Sequence, residues 1–161
     1  MLFRSYRMSI GEMLQLQQKD DLQIGEAQYF ELVDEKTASL MGAATEIGAL
    51  VGGLDRDRCE RFRAFGEALG RAYQVTDDLF DYIGDPARIG KGVRTDLPEG
   101  KVTLPLIRAL AAAGPADRSR LQDIAARRSA LQPEDWRELL RIFEQTGAVE
   151  ACRQTARDLA A

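Results

Sequence analysis

Histidine is absent from this sequence, and the two cysteines, Cys59 and Cys152, lie far apart in the chain. The lack of histidine excludes Ser-His-Asp and Cys-His nucleophilic sites. The cysteine pattern predicts neither a disulfide framework nor a zinc site, so we expect a reducing, cytoplasmic setting. The groups that remain for chemistry are carboxylates, lysines, hydroxyl groups and bound metal ions.

Long apolar runs and an excess of positive charge are missing as well. No apolar segment approaches the roughly 20 residues that a membrane-spanning helix needs, and the first eight residues contain no apolar region of signal-peptide length. The formal net charge is −4, so global charge does not favour nucleic acid or an anionic membrane. We therefore predict no transmembrane segment and no nucleic-acid partner for these 161 residues.

Helical periodicity covers most of the chain, whereas the alternating β-branched runs that indicate strands are absent. Glycine, proline and capping residues bound the predicted helices. These helices cover residues 2–18, 26–53, 58–83, 103–113, 116–129, 133–147 and 148–161. The connection at 84–102 is long for a compact helical domain, and such connections are usually functional or mobile. The predicted fold class is all-α.

Apolar stripes at helical spacing on the second and third helices are predicted to face the core. On the second helix the stripe comprises Phe30, Val33, Thr37, Leu40, Met41, Ala44, Ile47 and Leu50. On the third helix it comprises Phe62, Phe65, Leu69, Ala72, Tyr73, Thr76, Leu79, Phe80 and Ile83.

Three aspartates on the predicted third helix, Asp77, Asp78 and Asp81, form the most informative chemical pattern. Helical residues four apart share a face, with Cβ atoms ~5–6 Å apart, so Asp77 and Asp81 point the same way. Mg²⁺ usually takes one or two carboxylates together with phosphate oxygens and waters. A solvated, charged helix face is the alternative, but apolar neighbours and the lack of a basic partner four residues along oppose it. The spacing favours a site for Mg²⁺ and a polyanion such as diphosphate.

Lysines from two other segments could neutralise such an anion. Lys91 and Lys101 bracket the Gly-rich connection after the aspartates, and each could bind a phosphate that also bridges to the metal. Lys36 and Thr37 lie together in the second helix and could aim an ammonium and a hydroxyl at the same anion. The alternatives are ordinary surface lysines at 91 and 101, and a lysine at 36 that snorkels beside a core threonine.

Taken together, these motifs resemble the trans-isoprenyl diphosphate synthase (polyprenyl synthetase) family. The segment from Gln74 to Asp81 has the form of the family's second aspartate-rich motif, Gln-x-x-Asp-Asp-x-x-Asp. The segment that follows this motif in the family is matched by Gly90-Lys91, Asp96-Leu97 and Gly100-Lys101-Val102-Thr103-Leu104-Pro105. Two upstream segments also match, the pair Lys36-Thr37 and the motif Gly11-Glu12 with Gln15-Leu16. The resemblance covers about residues 8 to 160. A terpene cyclase relative fits less well because of the segment at 100–105.

The resemblance implies an isoprenoid synthase-type helical bundle around a central cavity. It also implies the reaction, in which Mg²⁺ and basic residues draw diphosphate from an allylic diphosphate and isopentenyl diphosphate attacks the resulting carbocation. The roles implied by position are Mg²⁺ binding for Asp77, Asp78 and Asp81, and substrate binding for Lys36, Thr37, Tyr73, Gln74, Lys91 and Lys101. Catalytic roles are implied for Lys36 at the allylic diphosphate and for Thr37 and Gln74 at the cation site.

The chain departs from the family in length. Family members carry a first aspartate-rich motif upstream, with further basic residues for isopentenyl diphosphate, and Asp20-Asp21 lacks the third aspartate that this motif needs. We therefore expect residues 1–161 to form one partial domain, the downstream half of a polyprenyl synthetase domain, which is inactive alone. The alternative is a non-catalytic small subunit that modulates a complete synthase. A homodimer, or a heteromer with a complete synthase, is expected because an open cavity face favours association.

Overall fold

The structure, a computed structural model, describes residues 2–85 and 92–161 as helices joined by connections, with no strand among them. The elements are α1 (Leu2–Gln17), α2 (Glu26–Val33), a π-helical turn (Asp34–Ala38), α3 (Ser39–Val51), α4 (Arg56–Ile83), α5 (Leu104–Ala112), α6 (Pro115–Arg127), a 3₁₀ turn (Arg128–Ala130), α7 (Pro133–Gln145) and α8 (Ala148–Ala160). The predicted all-α fold class is confirmed. No helix in the described part of the chain is both long enough and apolar enough to cross a membrane.

Side-chain caps explain where two of the helices begin. The Asp55 carboxylate accepts a hydrogen bond from the Arg58 backbone N–H at 2.9 Å, at the N-terminus of α4. At the N-terminus of α7, the Gln132 backbone N–H donates to the Asp135 carboxylate at 3.0 Å. Such caps satisfy backbone N–H groups that have no partner within the helix. The long helix predicted over 58–83 is confirmed, and it begins two residues earlier than expected.

The predicted second helix is interrupted by the π turn between α2 and α3. There the Ser39 backbone N–H donates to the Asp34 carbonyl, five residues back. A π turn adds a residue to the helical turn, so the core face beyond it is displaced by about one position. The buried residues of α3 are Ser39, Gly42, Ala43 and Ala49, whereas Leu40, Ala44, Ile47 and Leu50 are exposed. The core face predicted for this helix is therefore wrong at these four exposed positions, whereas Thr37 and Met41 are half-buried.

Glycines allow α3 and α4 to pack in close contact. A Cβ atom on Gly66 would lie 2.6 Å from the Met41 carbonyl oxygen, and one on Gly70 would lie 2.7 Å from the Ala38 Cα atom. Side chains larger than hydrogen at these two positions of α4 would force the helices apart. The contact places the π turn directly against the helix that carries the three aspartates.

Most large apolar side chains of α4 are exposed, contrary to the prediction from the sequence. The exposed α4 stripe consists of Phe62, Phe65, Leu69, Tyr73 and Phe80, which are 40–58% exposed. Ala72 and Leu79 from the predicted stripe are buried, together with Val75. The reason is that α4 packs mainly against α3 and α8, and its contact with α3 is made by small residues. The aromatic face of α4 is left without a covering element among the described residues.

Two buried clusters hold the helices beneath the connection at 92–103. One surrounds Tyr82, whose ring centroid lies 5.1 Å from that of Phe143 and 6.3 Å from that of Trp136. The other contains Tyr29 and Val75. Both clusters include residues of the C-terminal half of α4. Packing within these clusters therefore fixes the helical segment that carries the aspartates.

Candidate functional site

A pocket with a volume of about 250 Å³ lies between the end of α1, α2, the π turn, α4 and the connection before α5. Its polar lining includes Gln15, Lys36, Thr37, Gln74, Asp77, Asp78, Asp96 and Lys101. Six residues of the predicted site are therefore brought together from three segments that are far apart in the sequence.

The end of α1 orients the Lys36 ammonium group. Lys36 Nζ donates a hydrogen bond to Gln15 Oε1 at 2.6 Å and lies 3.1 Å from Glu12 Oε1. A Cβ atom on Gly11 would lie only 2.7 Å from the Lys36 backbone nitrogen, so glycine permits this close approach of α1. The Gly11, Glu12 and Gln15 motif recognised in the sequence thus supplies the surroundings of Lys36.

A chain of hydrogen bonds links the π turn to the Asp78 carboxylate. Thr37 Oγ1 donates to Gln74 Oε1 at 3.0 Å, and Gln74 Nε2 donates to Asp78 Oδ1 at 2.7 Å. The Tyr29 hydroxyl donates to Asp78 Oδ2, also at 2.7 Å. Burial raises the pKa of Asp78 to about 7, although these two hydrogen bonds oppose the shift. A cation in the pocket would favour the ionised form of this carboxylate.

Asp81 is buried and its carboxylate is engaged by the connection to α5. The Thr95 backbone N–H lies 3.0 Å from both carboxylate oxygens, and the Thr95 hydroxyl donates to Oδ1 at 2.9 Å. The Asp96 backbone N–H donates to Oδ2 at 3.0 Å. In this arrangement Asp81 orders the connection and does not line the pocket. Its binding to Mg²⁺ stays a prediction.

Two other predicted residues also lie away from the pocket lining or beyond the described chain. Tyr73 belongs to the exposed α4 stripe and is 58% exposed. Lys91 lies outside the described residues. The predicted roles of Tyr73 and Lys91 in substrate binding therefore stay predictions.

Asp96 is a pocket carboxylate that the sequence reasoning placed in a motif without giving it a role. Lys101 Nζ donates to Asp96 Oδ1 at 2.9 Å and lies 2.8 Å from Glu99 Oε2. Burial acts to lower the pKa of Lys101, but its hydrogen bonds with Glu99 and Asp96 outweigh this and raise the pKa above its ordinary value. Lys101 is consequently a permanent cation beside the carboxylates. The one available signal for Asp96 was its place in the series after the aspartates.

The donor groups of the pocket suit Mg²⁺. Asp77, Asp78 and Asp96 supply carboxylate oxygens, which are the ligands that this hard ion prefers. Within residues 2–85 and 92–161, no three acidic, cysteine or histidine side chains are grouped closely enough to hold an ion by themselves. Because Mg²⁺ completes its shell with phosphate oxygens and water, the arrangement fits an ion bound together with a diphosphate.

Gly100 fixes the backbone next to Lys101. Its φ angle is +79°, and a Cβ atom there would clash with the Asp20 carboxylate. The Asp20 backbone N–H donates to the Gly100 carbonyl at 2.9 Å, and the Asp20 carboxylate pairs with Arg128. Three segments of the chain therefore meet at this glycine.

We expect Gly100→Ala to destabilise the protein by about 1–3 kcal/mol more than Gly53→Ala, the range for inserting a methyl group into occupied space. Gly53 is a matched control because its φ is +78° with nothing within 4 Å of an added Cβ. Both substitutions carry the same backbone strain, so urea unfolding of the two variants isolates the Asp20 clash. Equal losses of stability would contradict this role of Gly100.

The sequence model of the family described as "Polyprenyl synthetase" matches residues 3–143. The chain belongs to the polyprenyl synthetase family. It is 34% identical over 148 residues to the short chain isoprenyl diphosphate synthase of Methanothermobacter thermautotrophicus, across 92% of this chain and 45% of that protein. It is also 34% identical over 152 residues to the octaprenyl diphosphate synthase of Escherichia coli, with the same shares covered.

Solved structures of the family share the arrangement of helices. The polyprenyl synthase of Caulobacter crescentus, complexed with calcium and isoprenyl diphosphate, has a TM-score of 0.90 and 36% identity, over 98% of this chain and 48% of that one. The decaprenyl diphosphate synthase of Rhodobacter capsulatus has a TM-score of 0.83 and 34% identity, over 98% of this chain and 50% of that one. This polyprenyl synthetase chain thus spans about half the length of the relatives it matches. The predicted family and helical fold are confirmed.

Proposed function

We propose that this chain supplies a diphosphate-binding half of a trans-prenyltransferase, which condenses an allylic diphosphate with isopentenyl diphosphate. The observation that carries the proposal is the pocket in which Asp77, Asp78 and Asp96 lie with Lys36 and Lys101. Carboxylates that hold a divalent cation, beside ammonium groups that hold phosphate oxygens, suit a metal–diphosphate complex. The calcium and isoprenyl diphosphate bound by the Caulobacter crescentus relative support the same ligand class.

The roles of the individual residues follow from their places in the pocket. We assign Mg²⁺ binding to Asp77 and Asp78, with Asp96 as an added carboxylate and Asp81 as the predicted third aspartate of the motif. Lys36 and Lys101 bind diphosphate oxygens, and Lys91 is assigned the same role from its motif. When bound, Mg²⁺ would offset the charge that develops on the departing diphosphate.

The neutral dipoles of Thr37 and Gln74 serve the carbocation side of the reaction. Gln74 Oε1 accepts from Thr37 and its amide group donates to Asp78, so both ends of the amide are fixed. A carbonyl dipole that is held in place in advance stabilises nearby positive charge without reorganising. We assign catalytic roles to Thr37 and Gln74 at the carbocation and to Lys36 at the departing diphosphate.

The exposed α4 stripe supports the proposal that residues 1–161 form a partial domain. Tyr73 lies one turn before Asp77, and the stripe continues from Tyr73 to Phe62 along about 16 Å of helix, at 1.5 Å per residue. Such a line of uncovered aromatic side chains marks a surface that binds apolar groups. We propose that it forms one wall of the cavity for a prenyl chain, with Tyr73 as a substrate contact, and that a complementary half covers the other side.

The direct test is binding of inorganic pyrophosphate to the 161-residue chain by isothermal titration calorimetry. The pocket is built from residues of this chain alone, so we expect binding in the presence of Mg²⁺ and its loss when EDTA removes the metal. Heats that are absent in Mg²⁺, or unchanged by EDTA, would contradict the proposed site.

The isolated chain is expected to bind pyrophosphate but to catalyse no condensation of allylic and isopentenyl diphosphates. The reason is that the described residues supply one cavity wall and the sequence contains one aspartate-rich motif. The measurement is incorporation of labelled isopentenyl diphosphate into extractable prenyl products, with the Escherichia coli octaprenyl diphosphate synthase as positive control. Robust turnover by the pure chain would show that the site is complete without a second half.

The exposed α4 stripe also fits the alternative of a small subunit that binds a complete synthase. A complete synthase could cover the stripe just as a complementary half could. Co-purification with a complete synthase, followed by analysis of product length and rate, separates the two. A change that persists after the pocket is inactivated by Asp77→Asn would favour the non-catalytic subunit. Loss of the change with that substitution would favour a catalytic contribution.

A further inference from the structure

Lys36 and Thr37 are consecutive residues of the helix formed by α2, the π turn and α3, and both line the pocket. In an α-helix with 3.6 residues per turn, neighbouring side chains point about 100° apart. Both residues lie within the π turn, whose wider winding changes that relation. Single π turns are uncommon in proteins and often occur at functional sites. Side chains from two neighbouring helices contact this turn and hold it in place.

One such group comes from α4. Arg71 Nε donates to Asp34 Oδ1 at 2.5 Å, and Arg71 Nη2 donates to Asp34 Oδ2 at 2.7 Å. The side chains of Arg71 and Asp34 are 37% and 29% exposed. Two parallel hydrogen bonds fix the orientation of the carboxylate as well as its distance. Asp34 is the first residue of the π turn and the one whose carbonyl accepts the Ser39 backbone N–H.

A second group of the same kind comes from α1 on another side of the turn. Arg7 Nε donates to Glu35 Oε2 at 2.7 Å, and Arg7 Nη2 donates to Glu35 Oε1 at 2.6 Å. The pair is partly buried, with side chains that are 33% and 22% exposed. Asp34 and Glu35, the two residues that precede Lys36, are therefore each bound by an arginine from a different helix.

Each arginine lies close to a glycine that brings its helix against the turn. Gly11, one turn after Arg7, touches the Lys36 backbone, and Gly70, next to Arg71, touches Ala38. Both α1 and α4 therefore hold the turn. Ion pairs hold its first two residues, Asp34 and Glu35, and close backbone contacts hold Lys36 and Ala38. Exposed ion pairs contribute little by themselves, but here bidentate geometry, partial burial and backbone contact coincide.

We propose that Arg7 and Arg71 are positioning residues that clamp the π turn and so aim the Lys36 ammonium and the Thr37 hydroxyl into the pocket. The role of this aim in diphosphate binding rests on the proposed function, whereas the clamp itself does not. Neither arginine lines the pocket, so neither contacts a ligand there directly.

The test uses the 161-residue chain with Arg71→Gln and Arg7→Gln, and Arg63→Gln as the matched control. Arg63 also pairs with a carboxylate on α4, Glu67 at 2.9 Å, but not with the π turn. The first readout is amide hydrogen exchange at Ser39, whose N–H closes the π turn onto Asp34. The second is the affinity for inorganic pyrophosphate in Mg²⁺, measured by titration calorimetry.

We expect each clamp variant to exchange the Ser39 amide about tenfold faster and to bind pyrophosphate about tenfold more weakly, which corresponds to roughly 1.4 kcal/mol each, with Arg63→Gln unchanged in both. Unchanged exchange at Ser39 would overturn the clamp. Faster exchange with unchanged affinity would overturn the positioning role. If the unmodified chain itself fails to bind pyrophosphate, the proposed function fails, and exchange at Ser39 alone then supports or overturns the clamp.

Two further variants keep the test decisive if Arg71→Gln fails to fold. Arg71→Lys retains the charge but offers a point cation in place of the planar fork, so it should restore folding and only part of the Ser39 protection. The exchanged pair Asp34→Arg with Arg71→Asp should recover protection lost in either single variant. Failure of both to restore any protection in a folded chain would overturn the proposal.

Discussion

Replacing Asp77 with asparagine is expected to weaken Mg²⁺-dependent pyrophosphate binding by about a hundredfold, or roughly 2.7 kcal/mol. The substitution keeps the size of the side chain and removes the charge of a half-buried carboxylate that lines the pocket. Interactions with charged groups are typically worth about 1.5–3 kcal/mol, which sets the size of the loss. Titration calorimetry in Mg²⁺ measures it directly.

Asp57→Asn is the matched control for this substitution. Asp57 is an exposed aspartate in the first turn of the same helix, 20 residues from Asp77 and therefore about 30 Å away along the helix axis. It changes the net charge equally, so a general charge effect would appear in both variants. Equal affinities of the two variants would rule out a metal or diphosphate role for Asp77.

Replacing Phe143 with alanine is expected to destabilise the protein by about 3–5 kcal/mol, the usual cost of deleting a buried phenyl ring. Phe143 is fully buried, and its ring packs against that of Tyr82 at a centroid distance of 5.1 Å. The cavity left behind would lie among residues of α4, α5 and α7. Denaturant unfolding followed by circular dichroism gives the change in the free energy of unfolding.

Phe65→Ala provides the comparison on the same residue type. The sequence pattern placed Phe65 in the core, but the ring is 58% exposed in the exposed α4 stripe. Its removal should change the free energy of unfolding by no more than about 0.5 kcal/mol. A loss as large as that of Phe143→Ala would mean that another copy or another part of the chain covers the stripe in solution.

Most helices and most of the pocket could be predicted because their signals are local. Capping residues and glycines mark where α4 and α7 begin, and the ordered motifs around Lys36, Gln74 and Lys101 identify the family from residue types and spacing alone. The pocket brings side chains of these three motifs together, and their roles stay predictions. Its remaining carboxylate, Asp96, was visible in the sequence but received no role because only the fold brings it to Lys101.

The failures of the sequence predictions come from contacts between distant segments. The π turn at Asp34–Ala38 depends on arginines in α1 and α4, and it displaces the core face of α3. Periodicity identified the apolar stripe on α4 but could not say whether another element covers it. Likewise, the pattern that placed Asp81 beside Asp77 could not show that backbone N–H groups of residues 95 and 96 occupy its carboxylate.

The bonds at Asp81 have a thermodynamic consequence. A carboxylate has about four acceptor sites, and three donor groups of Thr95 and Asp96 engage both oxygens of Asp81. A cation that binds these oxygens would compete with those three donors, so ion binding at Asp81 and the attachment of the segment before Lys101 would oppose each other. Reciprocity then requires that loosening this segment strengthens the hold of Asp81 on the ion by the same factor.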